Sequence, residues 1–68
     1  MKEIIFLVEE ATEGGYVAEA LGASIVTQAE DWDELQKQVR DAVLCHFDAD
    51  QRPATICLRQ VREQVLAV

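Results

Sequence analysis

Lysine and arginine are scarce in this chain: six of them stand against 13 aspartates and glutamates, so its 68 residues carry a formal charge of −7. Contact with phosphate backbones draws on clustered cationic side chains, so the deficit argues against direct nucleic-acid binding. No apolar run approaches the ~18 residues that a membrane-crossing helix requires. The start does not read as a secretory leader either, because the apolar stretch Ile4 to Val8 is cut short by Glu9 and Glu10. Two cysteines, Cys45 and Cys57, cannot frame a disulfide-stapled scaffold, and a cytoplasmic location is expected. A single histidine and a single serine offer no spacing suited to nucleophilic catalysis.

What the chain does have is 50% hydrophobic residues in clear periodic patterns, enough for one folded domain over residues 1–68. A domain this small buries only about 60% of its unfolded surface, so alone it is marginal and association would help it. Lys2 to Glu9 reads as a first strand, whose unbroken Ile4-Ile5-Phe6-Leu7-Val8 run implies a central strand apolar on both faces. Thr12-Glu13-Gly14-Gly15 is a turn, Tyr16 to Ala20 a second strand pairing with the first, and Gly22 another turn before a third strand over Ser24 to Gln28.

Asp31 caps a helix, with Glu34 three residues on in capping-box position and Asp33 in the first turn. Trp32, Leu35, Val39, Ala42, Val43, His46 and Phe47 share one side of it, and Glu34, Lys37, Arg40 and Asp41 the other. The helix is expected to end around Phe47 or Asp48, before the polar loop closed by Pro53. From Ala54 a period of two returns: Ile56, Leu58 and Gln60 alternate with Cys57, Arg59 and Val61 in a fourth strand. Val65 to Val68 could extend it, add a short strand or lie on a neighbouring subunit.

These elements predict an α+β domain, β-β-β-α-β, with a four-stranded sheet in order 3-2-1-4 and one helix on one face. A single helix about 10 Å across cannot cover both faces of such a sheet. Ile5 and Leu7 therefore point to a second, interface-forming face, and a homo-oligomer, dimer or larger, is expected.

The residues Ile5-Phe6-Leu7-Val8-Glu9-Glu10, Glu13-Gly14-Gly15-Tyr16-Val17-Ala18, Ser24-Ile25-Val26-Thr27-Gln28-Ala29 and Asp31-Trp32-Asp33-Glu34-Leu35, in this order and spacing, resemble the HicB-like antitoxin family. The likeness runs over roughly residues 1–62. It implies a truncated ribonuclease-H-like fold without nuclease activity. It further implies a non-enzymatic module that binds a small basic mRNA-cleaving toxin, HicA-like, and masks its active surface. Many relatives add a DNA-binding segment, but the sequence ends at Val68, so no such tail is expected. Leu21-Gly22-Ala23 also stands where a proline-rich link is common. The alternative is a stand-alone oligomeric domain that binds a small ligand or regulates another protein, with no toxin.

Other chemistries find weak footing. A two-metal nuclease needs converging carboxylates, yet Glu9 and Glu10 alternate to opposite faces and Ala54 to Arg62 contains no acid. Cys45, His46 and Cys57 could attract zinc, but adjacent helical residues diverge by about 100°, so no metal or cofactor is expected. His46 reads as a core-edge residue and Cys45 as a modestly exposed thiol. Gly14-Gly15 joins strands rather than cradling phosphate, and Tyr16 and Trp32 read as packing residues. Two acidic clusters remain: Glu30, Asp31 and Asp33 at the helix start read as structural. Glu9, Glu10 and Glu13, together with Ile5 and Leu7, are the candidate partner-binding residues, suited to steering a basic protein.

Overall fold

The computed structural model describes residues 2–62 and 64–68; Met1, where the family resemblance begins, and Glu63 lie outside them. Five elements follow in the order β1 (Glu3–Glu10), β2 (Tyr16–Ala20), β3 (Val26–Ala29), α1 (Trp32–His46) and β4 (Thr55–Gln60). The sheet order is β3-β2-β1-β4, the arrangement expected from the sequence. β1 pairs antiparallel with β2 and parallel with β4, and β2 pairs antiparallel with β3.

Alternation along β1 sorts its side chains. Ile4, Phe6 and Val8 are buried in one cluster with Ala18 and Ala20 of β2 and with Leu35, Val39 and Val43 of α1. Ile56 and Leu58 of β4 pack against the same cluster. Burying side chains of this size contributes about 1.5–3 kcal/mol each, which makes this layer the main source of stability. Thr27, opposite Ala18, faces the same layer, and its Oγ1 is buried without a hydrogen-bond partner.

The strand limits differ from expectation where local geometry intervenes. β1 runs one residue further, to Glu10, while the Lys2 carbonyl accepts the Ala54 and Thr55 N–H groups at 2.9 and 3.1 Å where β4 begins. β3 starts at Val26, not Ser24, because Gly22 turns the chain at φ +82° and the ladder to β2 opens only at Glu19–Val26. Ile25 precedes the ladder as a buried plug, its carbonyl accepting the Ala20 N–H at 2.9 Å. Val61 lies just beyond β4, although its N–H still reaches the Val8 carbonyl at 2.8 Å.

α1 is capped as its sequence suggests: an Asp31 carboxylate oxygen accepts the Glu34 N–H at 2.8 Å. The reciprocal half of a capping box does not form, because Glu34 accepts a hydrogen bond from Gln38 instead, at 3.1 Å. The fully buried stripe is Leu35, Val39 and Val43, narrower than the apolar arc. His46 is exposed, a correction to the core-edge expectation: Val43 and Phe47 fill the core-facing side at this end of α1, and the imidazole meets Phe47 edge-on at 4.8 Å. Trp32 packs its ring edge-on to Tyr16 at 5.5 Å, closing the other end of the core.

The second face of the sheet has no element over it among the described residues. Ile5, Leu7 and Val17 are half-buried there, and Val26 is 65% exposed. Val65, Leu66 and Val68 are exposed, outside any regular element. The molecule extends 51 × 21 × 17 Å. An eight-residue strand spans about 27 Å and a fifteen-residue helix about 22 Å, so much of the long axis belongs to the chain leaving β4 as an arm.

Candidate partner-binding site

The hairpin between β1 and β2 builds the acidic end of the molecule. Its loop is closed by Gly14 N–H to the Ala11 carbonyl and Ala11 N–H to the Gly15 carbonyl, both at 3.0 Å. Gly14 and Gly15 hold φ of +98° and +83°, where side chains other than glycine are strained. Glu13 projects from this turn into solvent, and Glu9 and Glu10 end β1 beside it, also exposed.

Glu9 and Glu10 border an open cleft of about 360 Å³ between the β1 end and the chain following β4. Ala11, Thr12, Gln60, Val61 and Arg62 complete its lining. Thr12, Gln60 and Arg62 are not site candidates from the sequence alone; the hairpin loop carries Thr12 to the cleft, and the parallel β1–β4 register, which sets Gln60 beside Val8, brings the chain of Gln60 and Arg62 to it. Carboxylates with one guanidinium nearby make a polar, anionic recess suited to cationic side chains.

The five candidate residues do not form one patch. Ile5, Leu7 and Glu9 follow one another on the uncovered face, Glu10 lies on the helix side of the strand, and Glu13 sits in the turn. The cross-strand register extends the uncovered face to residues not proposed from the sequence. Leu7 lies between Glu19 of β2 and Arg59 of β4, and Glu19 in turn pairs with Val26 of β3. Counting by twos marks Glu19 and Arg59 as outward-facing, but only the register shows that they flank the same leucine.

Cys45 is exposed and Cys57 half-buried, both as free thiols. Among the described residues no group of three or more His, Cys, Asp or Glu is placed to hold a metal ion. Nor is any helix among them long and apolar enough to cross a membrane.

No family model matches the chain, and no solved structure matches it. Two curated relatives do. A UPF0150 protein of Archaeoglobus fulgidus is 58% identical over 50 residues, 74% of this chain and 74% of the relative. A UPF0150 protein of Thermotoga maritima is 40% identical over 67 residues, covering 98% of this chain and 94% of the relative. With the alignment to the Thermotoga protein running nearly end to end in both sequences, the chain belongs to the UPF0150 protein family.

Proposed function

We propose that this chain is a non-enzymatic protein-binding module of the cytoplasm, an antitoxin that neutralises a small, basic, mRNA-cleaving toxin. The observation that carries this reading is the acidic end: Glu9, Glu10 and Glu13 stand exposed together at the hairpin, beside the cleft, on a chain of charge −7. Such a field accelerates encounter with a cationic partner more than it tightens the final complex. The resemblance to HicB-like antitoxins supports the choice of a HicA-like toxin as that partner. Ile5 and Leu7 belong to the uncovered face, where association with further copies of the chain is proposed.

The test is co-expression with the product of the adjacent reading frame, followed by stopped-flow association of the purified pair. The reading expects a stable complex, relief of growth arrest and an association rate that falls with salt. Replacing Glu9, Glu10 and Glu13 together by Gln lowers that rate about tenfold at low ionic strength and flattens the salt dependence. A neighbouring product that neither binds nor arrests growth overturns the proposal, and a metabolite retained on purification points to a ligand-binding role.

A further inference from the structure

We infer that the uncovered sheet face is the contact between two copies of this chain, related by a two-fold axis that runs along β1 close to Leu7. The inference sharpens the self-association proposed above and does not depend on any toxin.

The first support is area. The chain exposes 5359 Å², about 1,000 Å² more than the roughly 4,300 Å² that size scaling gives a compact chain of this mass. A standard interface takes about 800 Å² from each partner. The excess is of the size that a dimer contact removes.

The second support is the charge layout. Across the middle of the face the side chains run Val26, Glu19, Leu7, Arg59, one from each strand. Neighbouring strands are about 4.8 Å apart, so Glu19 and Arg59 stand at equal distances on either side of Leu7. A two-fold rotation about an axis along β1 exchanges left for right and turns the face onto itself. It sets each Glu19 opposite the partner copy's arginine, and Leu7 opposite its counterpart. Packed sheets lie about 10 Å apart, a gap that a glutamate and an arginine reaching towards each other close.

The flanking rows also match under this operation. Leu21, whose N–H bonds the Ile5 carbonyl, falls opposite Cys57, and Val17 falls opposite Val61. The same rotation sets Glu3 and Glu9 opposite their own counterparts, at the two ends of β1, where both are exposed to water in the single chain. Rotation about an axis across the strands would instead oppose Glu19 to Glu19 and Arg59 to Arg59. That geometry makes no opposite-charge pair in the middle of the face, whereas the axis along β1 makes two, one on each side of Leu7.

Sedimentation equilibrium of the whole chain across the micromolar range tests the inference, with Glu19→Arg, Arg59→Glu and the double reversal. The parent chain is expected to dimerise. Each single reversal should weaken the dimer about tenfold or more by placing like charges across the contact, and the double reversal should return it to near the parent value. A mere effect of net charge predicts otherwise, because Glu19→Arg makes the chain less acidic and would strengthen association. Should a reversal unfold the chain, Glu19→Gln and Arg59→Gln carry the same test with a weakening of about threefold each. A parent chain that stays monomeric overturns both self-association and its geometry. A dimer that the double reversal fails to restore overturns the geometry alone.

Discussion

A Cβ atom added to Gly15 would lie 2.6 Å from the carbonyl oxygen of Ala29, which belongs to the backbone of β3. The hairpin loop and the outer strand are thus pressed together at a point where no side chain fits. Gly15→Ala should lower stability by about 2 kcal/mol or more, the left-handed strain adding to the clash. Gly14 has open space around it, so Gly14→Ala should cost only about 1 kcal/mol, from backbone strain alone. Urea denaturation of the two variants checks the order.

The core layer sets the largest expected losses. Phe6 is fully buried, and Phe6→Ala should cost about 3–5 kcal/mol through lost burial and the cavity left behind. That approaches the entire stability of a small domain, about 5 kcal/mol. Thermal melting followed by circular dichroism should show the cooperative transition lost or moved sharply down. Leu44→Ala, on an exposed part of α1, should change stability by no more than about 0.5 kcal/mol.

One polar atom in the core works against the fold. Because Thr27 Oγ1 is buried without a partner, Thr27→Val should raise stability by about 1 kcal/mol. A lower denaturation midpoint in that variant would mean that the hydroxyl is satisfied in solution.

The helix cap gives a prediction of opposite sign. Asp31→Ala removes the acceptor for the Glu34 N–H and should cost about 1 kcal/mol, whereas Asp31→Asn should be near neutral. Glu34→Ala should leave the cap intact, since its carboxylate bonds Gln38 rather than closing a capping box.

Much of this architecture is legible in residue order. The unbroken Ile4 to Val8 run marks an interior strand apolar on both faces, and Gly14-Gly15 leaves little choice but a hairpin next to it. The return to a period of two after Pro53 then puts the last strand beside the first. Less legible is the start of β3: Ile25 and Val26 look equivalent as letters, yet one is a core plug and the other a ladder residue. His46 is less legible too, because a helical wheel shows a wide apolar arc whereas the buried stripe is only Leu35, Val39 and Val43. The acidic end is visible in the sequence, as charges close along the chain stay close in a hairpin. Glu19 and Arg59, 40 positions apart in the numbering, meet around Leu7 only through two cross-strand registers.

The parallel pairing of β1 with β4 bears on the order of assembly. Glu3 is in register with Thr55 and Val8 with Gln60, so β1 waits until residues 55–60 have been made before its second edge is sealed. Pairings so distant in sequence form slowly, since a long loop must close before they return any energy. A nascent hairpin of β1 and β2 therefore carries its acidic tip before it has a finished core, and a premature stop ahead of Thr55 would release a chain bearing the charges without the layer that holds them in place.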